Sequence, residues 1–139
     1  MTADTDKSSS SGPRRILVVD DEPVVREFVD RVLKGAGYAT ALAPDGPAAI
    51  GLAEQGRFDL LLTDEIMPQM TGHELARRLR IADPRLKVLY LTGYSDRLFA
   101  EKGGLWEDEA FLDKPCSVNG LRQAVSLLLE GHLSPDSNS

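Results

Sequence analysis

Asp64 closes an apolar run, Leu60 to Thr63 (LLLT), and is followed by EIMPQMTG. An earlier run, Ile16 to Val19 (ILVV), ends in the acidic pair Asp20-Asp21. A third, Val88 to Leu91 (VLYL), ends in Thr92-Gly93, and a shorter fourth, Ala110 to Asp113, ends in Lys114-Pro115. Four strand-like runs thus each deliver polar side chains at the carboxyl end. If the runs are parallel strands of one sheet, three carboxylates, one hydroxyl and one ammonium share an edge. That set suits binding a divalent cation and holding a phosphoryl group.

The acids carry most of this inference. Clustered carboxylates repel and raise one another's pKa unless a cation is present. Mg²⁺ fits, because it takes one or two carboxylates and completes its shell with waters and phosphate oxygens. Asp64, at the middle strand, is the candidate nucleophile, and Asp20 and Asp21 are the candidate metal holders. Pro115 holds Lys114 extended, so its long stem can reach over the edge to a phosphoryl oxygen. The Thr92 hydroxyl either donates to that phosphoryl group or caps the turn after its own strand. Phe111 is expected in the core. His73 and His132 lack metal-ligand spacing and are expected to be exposed. Cys116 reads as structural, and Trp106 either packs down or joins a contact surface.

A chain of 139 residues is normally one domain. No apolar run approaches the roughly 18 residues of a membrane span, and MTADTDKSSSSGPRR is no secretory signal. One cysteine excludes an internal disulfide and fits a reducing cytoplasm. A net charge of −6 argues against direct nucleic-acid binding, which calls for a basic face. No G-x-G-x-x-G follows the first strand and no P-loop motif occurs, so a dinucleotide or Walker-type site is not supported.

The elements that must position these residues alternate. Residues 1–13 and 132–139 are polar and expected to be disordered tails. Between them, 14–131 reads as one folded domain. Strands are expected at Ile16–Val19, Tyr38–Ala43, Asp59–Thr63, Lys87–Leu91 and Ala110–Asp113. The first helix begins at Pro23 with Val24, Val25, Phe28, Val29, Val32 and Leu33 at helical spacing. Others are expected at Pro47–Gln55, Gly72–Ala82, a brief segment capped by Ser95 and ended by Gly103-Gly104, and a last one capped by Ser117. The last helix's apolar stripe is Val118, Leu121, Val125 and Leu128. Strict β–α alternation implies an α/β fold: five parallel strands, (βα)₅, doubly wound with helices on both faces. Right-handed crossovers put every carboxyl end on one edge. The order of the strands does not follow from the pattern.

The segments ILVVDDEP, LLTDEIMPQMTG, VLYLTGYSD and FLDKP resemble the signature segments of response-regulator receiver domains of two-component systems. Four motifs in order, over about 14–131, make the resemblance specific. It implies a flavodoxin-like sheet of order 2-1-3-4-5. It implies Asp64 as phosphoacceptor, with Mg²⁺ bound by Asp21, Asp64 and the backbone carbonyl of Ile66, and by Asp20 mostly through water. Thr92 and Lys114 would contact the phosphoryl group, Phe111 would pair with Thr92 as the switch, and a cis Lys114-Pro115 bond is among its implications. The phosphoryl donor would be a histidine kinase or a phosphotransfer protein.

Glu65 follows the phosphoacceptor where many relatives carry an apolar residue, which adds a charge expected to bear on phosphoryl lifetime. Thr92-Gly93-Tyr94 resembles the receivers of hybrid histidine kinases. Only a short polar stretch follows the last helix, so output is expected through a downstream protein partner or onward phosphotransfer, in the cytoplasm. The chain is therefore expected not to be an enzyme. An aspartate-nucleophile phosphatase would need a second acid at the place of Ile66. A receiver-like adaptor that is never phosphorylated would usually lose part of the acidic set. A receiver fragment of a hybrid kinase is the remaining alternative.

Overall fold

The structure, a computed structural model, describes residues 12–131. The expected tails, apart from residues 12 and 13, and His132 lie outside that range. Five strands and five helices alternate: β1 Arg15–Val19, α1 Pro23–Gly35, β2 Ala39–Ala43, α2 Gly46–Gln55, β3 Leu60–Thr63, α3 Gly72–Ala82, β4 Lys87–Thr92, α4 Ser95–Lys102, β5 Glu109–Asp113 and α5 Val118–Glu130.

All four strand pairings are parallel, and the sheet order is β2-β1-β3-β4-β5. This is the 2-1-3-4-5 order that the resemblance implied. Successive side chains of a strand point to opposite faces, so β1 feeds two cores. Leu17 and Val19 join Leu61, Val88 and Tyr90 under Ala49 of α2, Leu75 and Leu79 of α3, and Leu98 of α4. Ile16 and Val18 join Leu60, Leu62, Leu89 and Leu91 under Val29, Val32 and Leu33 of α1 and Leu121, Val125 and Leu129 of α5. β1 and β3 are buried nearly throughout, as central parallel strands covered on both faces must be.

The helix stripes depart from expectation at their ends. Val24 and Val118 are exposed, and Leu129, not Val118, completes the buried stripe of α5. Both valines sit in the first turn of their helices. Ser95 does not cap α4: it is the first helical residue, and the cap position is Tyr94, without a side-chain bond. Ser117 does cap α5, its hydroxyl accepting the Gly120 N–H at 2.9 Å. Gly103 ends α4 at φ +84, a left-handed conformation glycine adopts without strain.

Candidate functional site

The crossovers bring the strand ends together at one edge. Val19 hands the chain to Asp20 and Asp21, Thr63 to Asp64, and Asp113 to Lys114, while Thr92 is the last residue of β4. Asp20, Asp64 and Thr92 are buried, and Asp21 is exposed at the rim. One carboxylate oxygen from each of Asp20, Asp21 and Asp64 lies within 4.8 Å of the other two.

Lys114 closes this cluster. Its Nζ lies 2.9 Å from Asp64 Oδ2, 2.8 Å from Asp20 Oδ2 and 3.2 Å from Glu22 Oε1. The Asp20 contact is an ion pair without the alignment of a hydrogen bond, so Asp20 Oδ2 keeps its hydrogen-bonding capacity. Asp20 Oδ1 accepts the Glu22 N–H at 2.9 Å. Asp64 Oδ1 accepts the Glu65 N–H at 2.7 Å and a longer bond from Ile66 N–H at 3.4 Å. The peptide bond between Lys114 and Pro115 is cis.

These contacts set the titration. Burial pushes the Asp20 carboxyl up, although Lys114 and the Glu22 N–H pull it down. Burial opposes the charge of Lys114, but Asp20 and Asp64 outweigh it and hold the ammonium well above its ordinary range. Three carboxylates, Asp20, Glu22 and Asp64, thus meet a single ammonium, and a fourth, Asp21, stands beside two of them. The cluster retains net negative charge, and its oxygen ligands match what a small hard cation takes. The residues present therefore fit Mg²⁺.

The other expected residues are placed as follows. The Thr92 Oγ accepts the Tyr94 N–H at 3.0 Å, so in this conformation Thr92 caps the turn after its strand. Phe111 is half-buried beneath α4, its ring edge-on to Phe99 at 5.0 Å. The carbonyl of Ile66 lies in the loop just after Asp64. Gly72, at the start of α3, packs so close to the Asp64 carbonyl that a Cβ would collide with it. Cys116 is half-buried, and burial pushes its thiol up, in keeping with an inert residue. Trp106 is half-exposed beneath two cations, Lys102 at 3.8 Å and Arg80 at 5.5 Å.

The expectation of an exposed His73 fails here, and the carboxylate of Glu65 is turned away from the acidic cluster. The Glu65 side chain is fully buried and turned to α3, where Oε1 accepts the His73 N–H at 2.9 Å and Oε2 lies 2.6 Å from His73 Nδ1. It therefore adds no exposed charge beside Asp64. Burial pushes this carboxyl up, although His73 draws it down. His73 is correspondingly half-buried and bonded, and Glu65, His73 and Glu101 form a second group of metal-competent side chains. An acid one position after the nucleophile and a histidine eight further on were visible in sequence. Their meeting depends on the turn that Gly72 permits.

A concavity of about 630 Å³ opens at the opposite end of the sheet, lined by Leu17, Ile50, Phe58, Leu79 and Leu86 among others. It touches none of the acidic residues.

Comparison with known proteins bears on the family and the fold. The response regulator receiver domain family matches residues 16–126. The chain is 34% identical over 116 residues to the response regulator receiver protein CpdR of Brucella abortus, covering 84% of this chain and 97% of that protein. It is 34% identical over 122 residues to the sensor kinase CckA of the same organism, covering 86% of this chain but 13% of the kinase. It spans about half the length (54%) of a mycobacterial response regulator that it also resembles. The crystal structure of the response regulator TrrA of Thermotoga maritima in complex with Mg²⁺-BeF superposes with a TM-score of 0.74 at 33% identity, covering 84% of this chain and 99% of that one.

Proposed function

This chain belongs to the response regulator receiver domain family, and from that premise we propose that it accepts a phosphoryl group on Asp64 from a histidine kinase or a phosphotransfer protein. The observation that carries the reading is the meeting of Asp64, Asp20 and Lys114 at the carboxyl edge of the sheet. A carboxylate held by backbone N–H groups on one oxygen and by a long, movable ammonium on the other is a prepared acceptor. An Asp64 oxygen attacks phosphorus, the phosphorus–nitrogen bond to the donor histidine breaks, and the imidazole leaves with the bonding electrons. The product is an acyl phosphate.

Asp21, Asp64 and the Ile66 carbonyl would hold Mg²⁺, with Asp20 contributing through water. When bound, that ion neutralises charge on the transferring group. Lys114 exchanges its contact with Asp64 for one with a phosphoryl oxygen. Thr92 gives up its turn contact and donates its hydroxyl to the phosphoryl group. Phe111 turns into the space beside β4, and its edge contact with Phe99 carries the change to α4. A downstream protein partner reads that surface, or the phosphoryl group moves on. We assign this role to residues 14–131 as one unit and to the cytoplasm, without direct contact to nucleic acid. Among the described residues no helix is long and apolar enough to cross a membrane.

Incubation with acetyl phosphate and Mg²⁺ should add one phosphoryl mass, and Asp64→Asn should abolish it. Full labelling of that variant would overturn the assignment.

A further inference from the structure

Two glutamates whose side chains are fully buried lie on the α2–α3–α4 face of the sheet, and their surroundings differ. Glu109 meets Lys102 at 2.9 Å and Arg80 at 3.2 Å, and it also accepts the Trp106 N–H at 2.8 Å. Glu65 has no lysine or arginine within ion-pair distance among the described residues; its partner is His73. Glu101, exposed on α4, brings a carboxylate to the same spot. One ligand atom from each of Glu65, His73 and Glu101 lies within 4.8 Å of the others. Two carboxylates therefore share one imidazole, which supplies at most a single positive charge. A buried carboxylate short of counter-charge is costly. Its twin on the same face shows how this chain satisfies one when cations are at hand.

We propose that Glu65, His73 and Glu101 form a second cation site, of the kind that takes Zn²⁺ or a similar transition ion. The imidazole decides the class of metal. Mg²⁺ prefers oxygen ligands, whereas imidazole with carboxylates suits Zn²⁺. Metal–nitrogen and metal–oxygen bonds of roughly 2.0–2.2 Å place neighbouring ligand atoms on the order of 3–3.5 Å apart. The 2.6 Å contact between His73 Nδ1 and Glu65 Oε2 opens slightly to admit an ion. Glu101, free at the surface, closes on it. His73 binds through Nδ1 with its ring proton on Nε2, and its ring is only partly covered. Three protein ligands leave one position for water.

The position gives the site a consequence. Glu65 is the residue after Asp64, and Glu101 sits two residues after Phe99, which touches Phe111. A bound ion ties α4 to the loop behind the phosphoacceptor. Its occupancy then holds α4 in the arrangement described here.

Zn²⁺ titration of the full chain by calorimetry, in excess Mg²⁺ to fill the acidic triad, tests this directly. The expected result is one Zn²⁺ bound per chain, weakened on the order of tenfold or more in His73→Ala and Glu101→Gln and unchanged in Asp21→Asn. Glu101→Gln alters an exposed side chain, so its result stands even if His73→Ala folds poorly. Co²⁺ in place of Zn²⁺ should give a visible absorption band that His73→Ala removes. Loss of binding in Asp21→Asn with none in Glu101→Gln would place the ion in the acidic triad and overturn the proposal. Absence of Zn²⁺ binding in excess Mg²⁺ would overturn it equally.

Discussion

The Lys114 ammonium stands 2.9 Å from the Asp64 carboxylate, which lies 50 residues away along the chain. It also pairs with Asp20. An ammonium on these oxygens repels any cation that seeks them. Lys114→Met should therefore tighten Mg²⁺ binding, by roughly tenfold if the lost repulsion is worth about 1.4 kcal/mol. It should at the same time lower the yield of acyl phosphate, since a phosphoryl oxygen loses its partner. Calorimetry and phosphate incorporation check the two effects separately; weaker Mg²⁺ binding would count against the competition.

Asp20 gives a pH prediction. Burial holds its carboxyl above the ordinary value of 3.8 despite Lys114 and the Glu22 N–H. The folded chain therefore holds this proton more tightly than the unfolded chain does. The resulting stability is fully present below about 3.8 and is lost as pH rises through the raised folded value. In Mg²⁺-free buffer, Asp20→Asn should gain on the wild type in unfolding free energy as pH climbs from there. Mg²⁺ should narrow or reverse the gap, because it stabilises the wild-type carboxylate. Urea melts at a series of pH values, with and without Mg²⁺, decide it: a variant that loses ground with rising pH contradicts the burial argument.

Gly72 and Gly51 should respond oppositely to alanine. A methyl group at Gly72 meets the backbone carbonyl of Asp64 and comes within 3.1 Å of Thr63 Cγ2. Gly72→Ala should cost about 1–3 kcal/mol and slow labelling of Asp64, because the loop must move. Gly51, inside α2, has open space, and alanine there should stabilise by about 0.5–1 kcal/mol. Thermal melts of both variants supply the comparison.

Glu109 neutralises two largely buried cations, Lys102 and Arg80, whose side chains are 4% and 12% exposed. Glu109→Ala strands both charges and should cost about 3–5 kcal/mol. Trp106 lies under both cations, so its fluorescence should report the loss during a denaturant titration. A cost below 1 kcal/mol would mean that water reaches the pair.

Much of the site was legible because connectivity alone creates it. Alternating β and α segments force the carboxyl ends of parallel strands onto one edge, so Asp20, Asp21, Asp64, Thr92 and Lys114 had to gather there. Apolar runs and helical spacing likewise announced the ten elements within a residue or two. The order of the strands came from resemblance, because hydrophobic pattern records which faces are buried and not which strand lies beside which.

Only the tertiary structure decided where the polar side chains went. Glu65 reads in sequence as a charge beside the phosphoacceptor, yet its carboxylate turns away to His73 because Gly72 lets α3 start against the Asp64 carbonyl. Lys102, the last residue of α4, has its ammonium buried on Glu109 of β5, a pairing that no local spacing announces. Val24 and Val118 fit their apolar stripes but stay exposed in the first turns of α1 and α5. Periodicity within a segment fixes how that segment faces the core. The partner of a buried charge is set by contacts between segments far apart in the chain, and no local spacing encodes them.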